Sequence, residues 1–299
     1  MVKDILRDRI KYVVLRIEMR LKLPSIQAPQ VAIIDRFSFA VYTSIILAAL
    51  GCALLAPNPN DGTIFIYAAR AVRLNLSPYD AGIFYYSPLW LAWSLLPISF
   101  LPDPIYVRLL AFSMALCGGL VVLRLSRDRF VISVALLCPY LWLSAIFGNI
   151  ENAVLLAAVL PFPIGIWILV LKPQMSIGLL IHRSWQALRD RRAIHLIAIS
   201  LCAVLLAVSI NAGMLRHSPI NQVWSTSPWP YGIPIGVIML LIGLRRDDWR
   251  WSFAASMFFA PYIETMSYLC LLPLAMLRRW SALAFVALSW LLVLLTLPR

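Results

Sequence analysis

The chain alternates short polar stretches with longer apolar ones, and the spacing within each sets the expected elements. Over residues 4–22, Leu6, Ile10, Val13, Val14, Ile17 and Leu21 recur at helical intervals, with Lys and Arg on the opposite face. This predicts an amphipathic helix lying on an anionic membrane leaflet, or a cytosolic tail helix without lipid contact. The first full apolar segment is 37–56, FSFAVYTSIILAALGCALLA, followed by the polar loop PNPNDG and a charged segment to Asp80. Apolar runs resume at 84–102, 105–123, 131–148, 150–171, 174–183 and 194–212. A second polar loop covers 213–231, and the last runs are 232–244, 251–262, 266–277 and 281–297. A straight crossing takes about 20 residues, so several of these must be tilted, broken or extended. Run 150–171 reads either as one crossing or as a hairpin broken at Pro161-Phe162-Pro163. The pattern predicts an all-α, polytopic integral membrane protein of roughly ten membrane segments. Residues 1–36 form the interfacial segment, and 37–299 a single transmembrane domain.

Composition turns this from a pattern into a class. The chain is 62% hydrophobic and 13% charged, whereas a soluble domain is nearer half apolar and a quarter charged. Too few polar residues remain to cover a globular surface, so lipid must solvate much of the exterior. The net charge of +13 would suggest nucleic acid in a soluble protein. Here the basic residues cluster between apolar runs, at 1–36, 124–129, 182–192, 245–250 and 278–279. That is the positive-inside pattern of a multi-pass protein of the cell (plasma or inner) membrane. It predicts a cytoplasmic N-terminus, extracytoplasmic loops near 57–83 and 213–231, membrane lipids as neighbours and no nucleic-acid partner. The first 36 residues are too charged to read as a signal peptide. The five cysteines all lie in apolar runs without metal spacing, and the three histidines are scattered.

Acidic groups near hydrocarbon are costly and need a reason. Asp61, Asp80, Glu151 and Glu264 are such groups. Asp61 follows the first span, with Gly62 behind it and Arg70 and Arg73 a few turns on. It reads as a base acting on a lipid-phosphate substrate, or as the N-cap of a helix starting near 62. Lys172 ends the apolar run IWILVLK before a helix-breaking Pro173. It either snorkels to an interface or pairs with an anionic headgroup. Tyr86, in FYYSPLWLAW, and His217, in the second polar loop with Arg216, Trp224, Trp229 and Tyr231, lie among residues suited to sugar stacking or to interface anchoring.

Taken in order, these pieces resemble the polytopic glycosyltransferases of the GT-C class, most closely glycosyltransferase family 87, the polyprenyl-phosphate-mannose-dependent mannosyltransferase group. The resemblance rests on Asp61; on Tyr67-Ala68-Ala69-Arg70; on Asn75-Leu76-Ser77-Pro78-Tyr79-Asp80; and on Tyr86-Ser87-Pro88-Leu89. It continues through Gly148-Asn149-Ile150-Glu151-Asn152, Lys172-Pro173-Gln174, Ala260-Pro261-Tyr262-Ile263-Glu264 and Leu272-Pro273. Asn75 stands where the family has Gly, Asn149 where it has Gln, and Ala260 where Ser is expected. The distance from Gly148 to Lys172 is about one span shorter than in the family. Asn75 is compatible with the pattern because Asn also enters the left-handed backbone region.

The resemblance implies an inverting hexosyl transfer, of mannose in the family, from a polyprenyl-phosphate sugar to a lipid or glycan acceptor at the extracytoplasmic face. Asp61 would be the general base. Lys172, with Arg70 and Arg73 as further candidates, would hold the donor phosphate. Glu264 and Asn149 would orient a sugar or acceptor, with Tyr86 and His217 as further substrate contacts. Phosphate is already a good leaving group, so one carboxylate suffices, and no cofactor or divalent metal is indicated. Two other classes stay open: a transporter or flippase built on broken helices, and a non-catalytic scaffold on the same fold.

Overall fold

The computed structural model describes residues 36–80, 87–217 and 225–296, and every regular element among them is helical. The amphipathic segment 4–22 lies outside the described residues, as do Tyr86 and the side chain of His217. The chain forms two units, Met1–Thr43 and Ser44–Arg299. The first contributes only the start of helix α1 (Arg36–Leu55) to the described residues; the second holds everything that follows.

Among the described residues, three helices are long and apolar enough to cross a membrane: the one beginning at Phe37 within α1, α4 (Asp103–Leu125) and α10 (Ala193–Asn211). Between α1 and α4 lie α2 (Thr63–Arg73) and α3 (Leu89–Ser94). The surface of α10 makes the membrane reading physical. Ile194, Ile197, Leu201, Val204 and Val208 are all exposed along it. An unbroken apolar stripe of that length in water would be strongly unfavourable, whereas in hydrocarbon it is at home. Helix α4 is instead half enclosed and lines its inner face with Ala111, Ala115, Gly118 and Gly119. A Cβ at Gly119 would come within 2.5 Å of the Ile45 side chain. Small residues at this face let helices approach closely, as membrane packing requires.

Proline explains why other apolar runs are shorter. Helices α5 (Arg129–Leu136) and α6 (Pro139–Ile146) meet at 43°, the geometry of a broken crossing or of a re-entrant loop. Pro139 removes the amide that would continue the ladder, and Asp128 opens α5 by accepting from the amides of Phe130 and Val131. Helices α7 (Glu151–Val159) and α8 (Phe162–Leu169) flank Pro161. In a straight helix Ala157 and Gly165 would lie about 12 Å apart. Here a Cβ on Gly165 would fall 2.4 Å from the Ala157 carbonyl oxygen. The run therefore folds back on itself, which selects the hairpin over the single crossing.

The C-terminal half assembles around α9 (Pro173–Arg189), α11 (Ile233–Arg246) and α12 (Trp249–Phe259). Gly178 of α9 lies against the Ser252 carbonyl and donates its amide to Ser256 Oγ at 3.0 Å. Gly236 and Gly243 of α11 meet Phe258 and Ser252 of α12. Asp247 takes a left-handed φ of 52° at the α11–α12 corner, and Asp248 then caps α12 by accepting from the Arg250 amide. After α12 the chain runs through Pro261–Glu264 into a 3-10 turn, Thr265–Leu271, then α13 (Leu272–Ala275) and α14 (Arg279–Thr296). Asn75 takes a φ of 58° just after α2, the left-handed conformation its residue type tolerates.

Candidate functional site

The site begins at the end of α6. Phe147 closes that helix, and Gly148 turns the chain out with a φ of +73°, its amide donating to the Ala145 carbonyl at 3.1 Å. This is the usual work of a glycine just past a helix C-terminus. The Asn149 amide then donates to the Ser144 carbonyl at 2.8 Å. Gly148 also permits contact with the loop after α1. A Cβ there would sit 2.7 Å from the Gly62 amide nitrogen. Across this junction the Asp61 amide donates to the Phe147 carbonyl at 3.1 Å, and Asn60 Nδ2 to the Ile146 carbonyl at 3.3 Å. Carbonyls left open at the end of α6 thus hold the loop that carries Asp61.

Asp61 is exposed, and its Oδ2 accepts from Asn149 Nδ2 at 3.4 Å. It does not cap α2. The N-cap there is Gly62, without a side-chain hydrogen bond, and Thr63 Oγ1 donates to the Asn60 carbonyl instead. The capping alternative for Asp61 is therefore set aside. Partial loss of hydration raises the Asp61 carboxyl above the usual aspartate value, and the charges of Glu264 and Glu151 raise it further, against a lowering by Lys172 and the Asn149 hydrogen bond.

Beneath Asp61 lies a chain of charges. Lys172 sits at the break between α8 and α9, as the residue before Pro173, and is almost wholly buried. Its Nζ donates to Glu151 Oε1, and to Glu264 Oε2 at 3.2 Å. Lys172 therefore does not snorkel to water; two carboxylates hold it inside the protein. Glu151, the first residue of α7, is fully buried and also accepts from Ser144 Oγ at 3.1 Å and Ser267 Oγ at 3.4 Å. Glu264 accepts from Tyr262 Oη at 2.9 Å. Burial works to raise the Glu264 carboxyl, but the Lys172 charge and the hydrogen bonds from Tyr262 and Lys172 outweigh it and hold it below the usual glutamate range.

Asp61, Asn149, Lys172 and Glu264 are thus brought together from four distant stretches of chain. The two arginines are placed otherwise. Arg70 pairs with Asp103 Oδ1 at 2.6 Å and donates to the carbonyls of Ser99 and Leu101 at 3.0 and 2.6 Å. Tyr67 Oη adds a bond to Asp103 Oδ2 at 2.8 Å. Arg70 thereby fastens α2 to the turn before α4. Arg73 is exposed at the end of α2. Glu151 is the group that motif reading passed over as a site residue, although an acid within an apolar run was itself a signal. Ser144 and Ser267 carried no comparable signal, because a single hydroxyl in an apolar run is commonplace.

Chemically, the arrangement offers an exposed carboxylate with a raised pKa, an amide that steadies it and a buried ammonium between two carboxylates. It can accept a proton from a hydroxyl, and it can bind hydroxyl groups or an oxyanion through charge-assisted hydrogen bonds. No family model, curated protein or solved structure matches this chain.

Proposed function

We propose that the protein is a membrane glycosyltransferase that moves a hexose from a polyprenyl-phosphate donor to a lipid or glycan acceptor at the extracytoplasmic face. The observation that carries this reading is the placement of Asp61. Its exposed carboxylate is held by Asn149 beside Glu264, which in turn contacts Lys172. In the proposed step Asp61 takes the proton of the acceptor hydroxyl, and that oxygen attacks the anomeric carbon with inversion. The bond from the anomeric carbon to the phosphate oxygen breaks, and the lipid phosphate leaves with the electron pair. Lys172 stabilises the charge that grows on the phosphate. The leaving group is supplied by the donor, so the reaction as written calls on no cofactor. Arg70 is engaged by Asp103 and by the Ser99 and Leu101 carbonyls, so the reading assigns the phosphate contact to Lys172, whose charge acts on Asp61 and whose partner Glu264 is partly exposed. The same reading places the protein in the cell membrane with roughly ten segments, a cytoplasmic N-terminus, and the loops near 57–83 and 213–231 outside.

A transporter is the second reading, and one observation favours it: the buried Lys172–Glu151 pair lies at a break between two helices. The two readings part in a single experiment. Purified protein in liposomes is given radiolabelled polyprenyl-phosphate hexoses and an acceptor lipid extract. The transferase reading expects a labelled glycosylated product that disappears with Asp61→Asn. Labelled donor that crosses the bilayer without any product would replace it with transport.

A further inference from the structure

The two carboxylates on Lys172 are not equivalent. The Glu151 side chain has 0% exposure and the Glu264 side chain 27%. Glu151 is enclosed by three side-chain donors, Lys172, Ser144 and Ser267. It also stands in the first turn of α7, where unpaired amides and the helix dipole favour a negative charge. Moving it would strip a buried carboxylate of all three donors and leave the buried ammonium with only the longer, partly exposed contact to Glu264 among its described carboxylate partners. Glu264 sits on the irregular connection between α12 and the 3-10 turn, contacts Lys172 at the longer distance of 3.2 Å, and has Tyr262 as a second partner. It can leave Lys172, keep the Tyr262 hydrogen bond and turn toward solvent.

Charge balance supplies a reason for it to do so. Glu151 and Glu264 already exceed the single positive charge of Lys172, with Asp61 close enough to feel both. An incoming oxyanion added to all of these would meet like charge on every side. An oxyanion that takes the place of Glu264 meets the ammonium directly and sends one repelling charge outward.

We infer that Glu151 is a positioning residue that fixes the Lys172 ammonium from behind, and that Glu264 is an exchangeable counter-ion which the phosphate oxyanion of a lipid-linked ligand displaces. This rests on the reading of the site as one for a polyprenyl phosphate. It makes the contact between Glu264 and Lys172 a resting closure of the site.

The two carboxylates then predict opposite effects on binding. The probes are farnesyl monophosphate and inorganic phosphate, titrated into the full-length protein in nanodiscs. Wild type is expected to bind farnesyl monophosphate and to lose it with Lys172→Ala. Glu264→Gln keeps a partner for Tyr262 but removes the competing charge, and should tighten binding roughly 1.5- to 5-fold, the factor that matches loss of a partly exposed ion pair. Glu151→Gln should weaken it by about tenfold or more, since a charge-assisted bond that holds the ammonium is lost, with Glu151→Asp between the two. If Glu151→Gln does not fold, the double variant Ser144→Ala/Ser267→Ala loosens Glu151 without removing its charge, and should weaken binding while keeping its melting transition. A ligand recognised as a lipid phosphate binds as farnesyl monophosphate and not as inorganic phosphate at equal concentration; equal binding of both would assign the site to free phosphate. Wild type that binds neither probe overturns both the inference and the lipid-phosphate reading. Wild type that binds, with Glu264→Gln weakening or unchanged, overturns the exchange alone and leaves the lipid-phosphate reading standing. Likewise, unaltered binding in the Glu151 variants, or in the serine pair where Glu151→Gln fails to fold, overturns the positioning role alone.

Discussion

Asp61→Asn removes a charge while keeping the outline of the side chain, so it separates chemistry from folding. A general base must be ionised and within hydrogen-bond reach of the acceptor hydroxyl, and an amide cannot take that proton. Turnover should fall roughly 10²- to 10⁴-fold, the usual contribution of acid–base catalysis. Stability should behave differently. Asp61 caps no helix, and its one described side-chain partner is Asn149 at 3.4 Å, whose bond an asparagine carbonyl can still accept. The folded state raises the Asp61 pKa, through lost hydration and then the charge of Glu264. A raised carboxyl favours folding fully at pH below its unfolded value, and that contribution is lost as pH rises through the folded value. At neutral pH the folded protein therefore carries an unfavourable charge that asparagine lacks. The variant should melt at or slightly above the wild-type temperature at pH 7, and the difference should vanish in acid. For the same reason the acidic limb of wild-type kcat/KM should lie above the usual aspartate range, with activity falling as pH drops through it. The assay is transfer of labelled hexose by matched, folded preparations, with melting curves at both pH values. Near-normal transfer by a well-folded Asp61→Asn variant would sink the catalytic assignment.

The remaining predictions concern the scaffold. Gly148→Ala places a Cβ on a left-handed residue and 2.7 Å from the Gly62 amide. It should cost about 1–2 kcal/mol or more and reduce transfer by shifting Asp61; an unchanged melting curve would remove the close junction from the argument. Glu151→Ala leaves the buried Lys172 with Glu264 as its described carboxylate partner. It should destabilise by about 3–5 kcal/mol, read by denaturant or thermal unfolding in detergent, and a silent substitution would mean the pair is not held as described. For topology, single cysteines at Asn60→Cys and Arg191→Cys in a background without native cysteines should react differently on intact cells. An impermeant reagent is expected to label position 60 only, and labelling of 191 alone would invert the orientation.

Local features survived the passage from sequence to structure well. The apolar run 105–123 became Asp103–Leu125, and 194–212 became Ala193–Asn211. Length and hydropathy decide these, because a helix satisfies its own backbone groups in lipid. Pro161 and Pro173 marked breaks, since each lacks an amide wherever it stands; the break at Pro139, inside the run 131–148 that reads as one segment, came from the structure. Asn75 was readable as a left-handed position for the same local reason. The whole set of roughly ten runs did not become ten long helices. Several prolines fall inside runs and divide them into pieces too short for a straight crossing.

The sequence by itself determined that this chain needs an apolar solvent, roughly where its long helices begin and end, and that Glu151 and Lys172 bound an apolar run that offers no local excuse for charge, while Asp61 and Glu264 stand in short polar breaks between such runs. Only the tertiary structure decided what those charges do. Glu151 meets Lys172 across the α7–α8 hairpin, and Glu264 reaches it from the connection that follows α12. Arg70, a further candidate for the phosphate in the sequence, is instead taken up by Asp103 where α2 docks. Periodicity and residue type report neighbours within a few turns. The cost of burying a charge depends on partners that folding brings from far along the chain. That is why the charged residues were conspicuous in the sequence and their pairing was not.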